Sequence, residues 1–145
     1  MVIVVCSAFI STKEGVLLVK EAKAVAKGEF GLPGGKLESD EDLESCAVRE
    51  CQEETGFDIM IDRLLMVSQK PRTHEGNTVI KFIYSAHIEP NRTQANAELG
   101  YVFVNKQRFD NLIEQDNIRG KDVSWLLDTY FSEGLPDTVI VKKFA

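Results

Sequence analysis

The chain has 145 residues, enough for one domain that buries about two-thirds of its unfolded surface without disulfide or metal staples. Its 23 acidic side chains against 17 basic ones leave a formal charge of −6, which disfavours a broad nucleic-acid surface because such binding rests on Lys and Arg neutralising phosphates. Three cysteines, Cys6, Cys46 and Cys51, form no CxxC pair and leave an odd thiol, which argues against a disulfide framework and for a reducing compartment, the cytoplasm by default.

Met1 to Ile10 is apolar, has no basic segment before it and leads into the turn Ser11-Thr12-Lys13-Glu14-Gly15, so it reads as a first strand and not as a secretory signal. Val16 to Glu21 completes a hairpin with it, and Ala22 to Gly28 is a lysine-bearing loop. Phe30-Gly31-Leu32-Pro33-Gly34-Gly35 breaks regular structure and delivers the chain to a helix with Ser39 as N-cap. Asp40, Glu41 and Asp42 favour its positive end, and Gly56 stops it. Ile59 to Gln69 and Thr78 to Ile88 read as strands separated by a loop from Pro71 to Asn77, and Tyr101 to Val104 as a third. Helical patterns follow at Lys106 to Gln115 and Lys121 to Phe131, then a terminal strand at Val139 to Phe144. No repeat, linker or low-complexity tract divides residues 1–145, and no apolar run approaches the roughly 18 residues of a membrane span. The order is not the regular βα alternation of a doubly wound sheet, so the expected class is α/β with a mixed sheet flanked by helices.

The helix after the glycine loop carries the chemistry. At about 100° per residue, Glu50, Glu53 and Glu54 fall on the side of Leu43, Cys46 and Ala47, whereas an ordinary surface helix sets its acids opposite the apolar stripe. Three like charges at this spacing repel, and the cost grows as water is withdrawn. A bound cation removes that cost. Oxygen ligands suit Mg²⁺ or Mn²⁺ better than Zn²⁺, and Mg²⁺ shares its shell between a couple of carboxylates, waters and substrate phosphates. Gly34 and Gly35 let backbone approach a ligand closely, and the helix behind them offers phosphate a positive end.

Gly35, Glu41, Arg49, Glu50, Glu53, Glu54 and Gly56 together match a signature: Gly, five residues, Glu, seven residues, Arg-Glu, an aliphatic, any residue, Glu-Glu, any residue, Gly, an aliphatic. In this the chain resembles the Nudix hydrolases, the MutT-like family. Cys51 and Phe57 fill the two aliphatic slots loosely. The resemblance implies an α/β/α sandwich and a divalent-metal-dependent pyrophosphohydrolase in which water attacks phosphorus. On that reading Glu50 and Glu54 are the main metal ligands and Glu53 a further one, directly or through water. Glu50 is the candidate base, oriented by Arg49. The resemblance also implies a backbone carbonyl ligand at Gly34 or Gly35, and a pairing of Glu41 with Arg49 beside the equally open role of Glu41 on the helix dipole. Glu98, in the loop before Tyr101, matches the place of an extra base or metal ligand in many members, or is a solvated loop residue.

Other candidates are weaker as sequence. Glu38 and Gly34 flank the metal segment and stand as substrate contacts with Arg72; Lys13, Lys20, Lys36 and Lys81 each read, taken alone, as solvated surface charge. His74 and His87 are too sparse for zinc, Phe30 packs under the glycine loop or stacks on a base, and Trp125 belongs to the core or to an interface. Nudix enzymes generally split a diphosphate in a nucleoside diphosphate linked to another group. Pro71, 15 residues beyond Gly56, resembles a feature of the ADP-ribose-cleaving members, and nucleoside triphosphates are the competing substrates. The alternative is a catalytically silent nucleotide-sensing domain that regulates a partner; it predicts losses among the metal glutamates, and none is lost. Homodimers are common among similar proteins, so a second copy is a partner the resemblance allows.

Overall fold

Apolar residues fill β1 (Val2–Thr12), and a turn at Gly15, where φ is 134°, returns the chain into β2 (Gly15–Lys20). A Cβ at Gly15 would also meet the Val104 backbone at 2.5 Å. The computed structural model describes residues 1–21, 28–72, 76–90 and 100–145, the Arg72 side chain excepted. Along these follow β3 (Phe30–Gly31), β4 (Gly34–Lys36), α1 (Leu43–Thr55), β5 (Ile59–Arg72), β6 (Asn77–Ile88) and β7 (Tyr101–Val104), then α2 (Lys106–Glu114), α3 (Lys121–Glu133) and β8 (Ile140–Lys143).

The strands form one mixed sheet in the order β3-β2-β1-β6-β5-β8, with β4 attached to β1 and β7 to β2. β1 runs parallel to β6 from Val2↔Thr78 to Ile10↔Ala86, while its other edge is divided between β4 and β2, both antiparallel. β8 adds to β5 in parallel.

Alternation along the strands sends successive side chains into two layers. Ala8, Ile10 and Leu17 pack with Cys51 of α1, and Cys6 with Cys46 and Ala47. Phe9, Val16 and Leu18 face the other way, against Phe109 and Leu112 of α2 and Val123, Leu126 and Leu127 of α3. The expected mixed sheet flanked by helices is therefore observed. Trp125 lies against the second core, edge-on to Phe144 with ring centroids 6.4 Å apart. Among the described residues no helix is long and apolar enough to cross a membrane.

Three local expectations are corrected. Asp42, not Ser39, caps α1: its carboxylate accepts from the Ser45 N–H at 2.8 Å, and the intervening Asp40 takes a left-handed φ of 70° that keeps Ser39 out of the helix. The segment around Phe30 to Gly35 is not wholly irregular, because β3 and β4 each find a strand partner. Pro71 and Arg72 extend β5 instead of opening a loop, pairing with Thr78 and Asn77. As predicted, α1 ends on Gly56, at φ 82°, whose N–H reaches Gln52 O at 2.9 Å.

Candidate active site

β4 brings the two glycines against β1 on one side and α1 on the other. A Cβ on Gly34 would fall 2.2 Å from Ser7 Oγ and 2.5 Å from the Cys6 carbonyl oxygen; one on Gly35 would fall 2.4–2.6 Å from the Glu50 carboxyl atoms. Gly34 faces backbone and is closed to any side chain, whereas a side chain at Gly35 would have to displace the Glu50 carboxylate. The Gly34 N–H donates to Glu54 Oε1 at 2.8 Å, and Gly35 O receives a long contact from the Cys46 thiol at 3.7 Å. A single helix turn thus meets a single strand at contact distance. Gly35→Ala is expected to push the Glu50 carboxylate aside and to lower turnover by about 10²-fold, the scale of a misplacement of about 1 Å; steady-state rates against the folded fraction check this.

Arg49 organises the acids. It grips Glu41 through Nε at 3.0 Å and Nη2 at 2.8 Å, and its Nη1 donates to Glu50 Oε1 at 2.9 Å and Glu53 Oε2 at 3.2 Å. This fork, with the Glu38 N–H at 2.9 Å, holds the Glu41 carboxyl at about 2. Burial pushes Glu50 up against the pull of Arg49, and Glu53 and Glu38 push the same way. Glu38 itself is exposed, 3.6 Å from Arg49 Nη1, and is not on the cleft wall.

Glu50, Glu53 and Glu54 line a cleft of about 630 Å³ together with Gly34, Gly35 and Lys36. Its floor is apolar, from Val5, Leu32 and Val79, and its far wall is basic, from Lys70, Lys81 and Arg119. Lys81 is buried, which overturns the reading of it as a solvated surface charge: its Nζ lies 3.6 Å from Oδ2 of the fully buried Asp122. Asp122 also takes Ser68 Oγ at 2.9 Å, its neighbour's N–H (Val123) at 3.0 Å and Lys70 Nζ at 3.4 Å. Arg119 pairs with Glu21. Lys70, Lys81, Arg119, Asp122 and Glu21 were not picked out as a group by the sequence. The legible signal was the position of Lys81 between Val79 and Ile83 on the inward face of β6.

The pair titrates at both ends of the pH scale. Burial lowers Lys81 to about 8 despite Asp122, with Lys70 pushing it the same way. Burial raises Asp122, but Lys81 and Lys70 outweigh it and hold the carboxyl at about 2. Between pH 8 and the ordinary lysine range the unfolded chain binds the extra proton, so the Lys81 contribution to stability should improve as pH rises through that window. The Asp122 contribution is present above the ordinary aspartate range and is lost as pH falls toward 2. Urea midpoints from pH 7 to 10, compared with Lys81→Met, should show the alkaline slope flattened in the variant.

Glu98, His74 and the Arg72 side chain lie outside the described residues. Lys13 and Lys20 are exposed and absent from the cleft wall, and His87 pairs with Asp62 at 2.8 Å on the surface. Phe30 packs against the second core, with the Arg108 guanidinium 5.9 Å from its ring centroid.

The model of the NUDIX domain matches residues 1–126. The chain belongs to the Nudix hydrolase family. Among curated relatives it is 28% identical over 134 residues to the putative nudix hydrolase 1 of Caenorhabditis elegans, covering 86% of this chain and 34% of that one. It is 32% identical over 83 residues to the 8-oxo-dGDP phosphatase NUDT18 of Homo sapiens (57% and 24% covered). To the ADP-ribose pyrophosphatase of Methanocaldococcus jannaschii it is 38% identical over 69 residues (48% and 41%). The chain thus spans less than half the length of these relatives. Among solved structures, a Nudix hydrolase from Nitrosomonas europaea superposes with a TM-score of 0.75 at 22% identity, covering 98% of this chain and 79% of that one. An ADP-ribose pyrophosphatase from Streptococcus suis gives 0.69 at 22%, covering 98% of each. These two likenesses concern the fold.

A Nudix site implies a divalent cation. Among the described residues no three acidic, histidine or cysteine side chains stand converged as a ready cage, since Arg49 draws on Glu50 and Glu53 while Gly34 holds Glu54. Mg²⁺ does not need such a cage: it is usually held by one or two carboxylates, with waters and substrate phosphates completing the shell. The all-oxygen donor set, and a glycine contact that leaves the Glu50 carboxylate no Cβ to face, fit a small hard cation.

Proposed function

We propose that this Nudix chain is a divalent-metal-dependent pyrophosphohydrolase that cleaves the diphosphate of a nucleoside diphosphate linked to another group, by water attack at phosphorus. The observation that carries the reading is that Glu50, Glu53 and Glu54 of one helix line the same cleft as Gly34 and Gly35. Glu50 and Glu54 would hold Mg²⁺ or Mn²⁺, with Glu53 and the Gly35 carbonyl as further ligands. When bound, the cation supplies charge neutralisation and an acidified water.

The protein supplies the rest. Arg49 fixes Glu50 from the side and is itself anchored by Glu41, so the candidate base is held by a fork and not by a freely turning lysine. The raised affinity of Glu50 for a proton, caused by burial, suits a group that accepts one from water. Val5, Leu32 and Val79 add apolar surface to the same cleft. The names of two relatives, ADP-ribose pyrophosphatase and 8-oxo-dGDP phosphatase, support a nucleoside diphosphate compound as substrate. Residues 1–145 act as one unit on this reading, because β8 pairs with β5, and the cytoplasm suits three free buried thiols.

The test is a release assay over ADP-ribose, nucleotide sugars, dinucleoside polyphosphates and ordinary or 8-oxo nucleoside di- and triphosphates, with Mg²⁺ or Mn²⁺. Hydrolysis of one class, abolished by chelator and by Glu54→Gln, is expected. Silence across the panel with metal-dependent nucleotide binding intact would overturn it in favour of a sensing domain.

A further inference from the structure

We propose that the basic wall of the cleft, where Lys70 and Lys81 meet over Asp122 beside Arg119, is an anion subsite for a phosphate that the substrate carries in addition to the diphosphate being cut. This deepens, and rests on, the reading of the cleft as a diphosphate-cleaving site.

Three cations and two anions, Asp122 and Glu21, meet at this wall. Their arrangement is layered. Asp122 is fully buried and already receives Ser68 Oγ and the Val123 N–H, whereas the Lys70 and Lys81 side chains are 28% and 11% exposed. Asp122 therefore lies behind the ammonium groups and positions them. Each ammonium carries three N–H donors and a guanidinium five, far more than the two carboxylates can accept. Lys70 and Lys81 share one carboxylate, at 3.4 and 3.6 Å, and burial together with repulsion from Lys70 depresses Lys81 to about 8. A guest with several acceptor oxygens and negative charge relieves both deficits.

A phosphate monoester brings three acceptor oxygens and a charge of about −1.5 to −2. A neutral sugar or base edge would leave donors unpaired in a partly dry wall, which costs more than the contact returns. The acidic wall cannot accept the same group unaided, since Glu50, Glu53 and Glu54 repel it. The cleft thus discriminates by charge along its length. The substrate class that follows is a nucleoside diphosphate compound with a further phosphate remote from the cut, either as a monoester on a sugar or as the end of a longer polyphosphate chain.

Two measurements test this. Inorganic phosphate is titrated into the ¹⁵N-labelled protein in excess chelator, following the backbone amides of Lys70, Lys81 and Arg119. Saturable shifts there, lost in a Lys70→Gln/Arg119→Gln variant of unchanged thermal midpoint, are expected; no saturable shift, or shifts that survive in the variant, would overturn the subsite. Both substituted side chains reach solvent, so the variant avoids the buried Lys81. Next, kcat/KM is compared between ADP-ribose and ADP-ribose 2′-phosphate, and between a nucleoside diphosphate and its triphosphate. The phosphate-richer member of one pair should win by about tenfold, through KM, and lose that advantage in the variant; the winning pair identifies the source of the phosphate. Equal kcat/KM within both pairs would overturn the substrate class. If nothing is hydrolysed, the proposed function falls while the phosphate titration still decides the subsite.

Discussion

Glu50→Gln should lower kcat by between about 10² and 10⁴, the range a positioned general base contributes, while leaving the thermal midpoint nearly unchanged. The amide keeps the shape of the carboxylate that packs against Gly35. It gives up one charge-assisted bond from Arg49, but Arg49 keeps its two-pronged hold on Glu41. Burial already disfavours charge on Glu50, so neutralising it does not remove a stabilising ionisation. Glu53→Gln should cost less, because Glu53 is 40% exposed on its side chain and receives the longer of the two bonds from Arg49 Nη1. Initial rates of nucleotide release under saturating Mg²⁺ check both; retention of kcat in Glu50→Gln would remove it from the chemistry.

Asp122→Ala should destabilise the fold by about 3–5 kcal/mol, the usual result of leaving a buried ion without its partner. That is a large share of a total of about 5–15 kcal/mol. The loss comes less from the deleted contacts than from Lys81, whose ammonium would be buried beside Lys70 with nothing opposite. A double variant, Asp122→Leu with Lys81→Met, should recover most of the stability, because apolar groups of similar volume avoid desolvation altogether. Urea denaturation of wild type, single and double variants gives the comparison, and a single-variant cost below about 1 kcal/mol would show that the pair is not buried as described.

The contrast between these two sites marks what the sequence could carry. The acidic site is local: Arg49, Glu50, Glu53 and Glu54 share one helix, and the spacing of a helix is legible from residue numbers alone. Even the longer link to Glu41 lies within the same segment. Boundaries were less legible, since Ser39 and Asp42 are both good caps and only the left-handed turn at Asp40 decides between them. The basic wall was not legible as a unit. Alternation places Lys81 inward on β6, but its counter-ion comes from α3 and its neighbour Lys70 from β5, a meeting decided by tertiary packing. The mixed sheet was expected from element order, whereas the division of one β1 edge between β4 and β2 was not, because register between distant strands leaves no local trace.

The parallel pairing of β1 with β6 also bears on how the molecule is born. Synthesis at roughly 5–20 residues per second finishes β1 and α1 on the order of seconds before β6 leaves the ribosome. During that wait the apolar face of α1, with Cys46, Ala47 and Cys51, has only part of the sheet that finally covers it. The glycine strand that meets Glu50 and Glu54 hangs on β1, the strand still waiting for its neighbour. Nascent chains arrested just short of β6 should therefore be the species most sensitive to proteases and most in need of a chaperone.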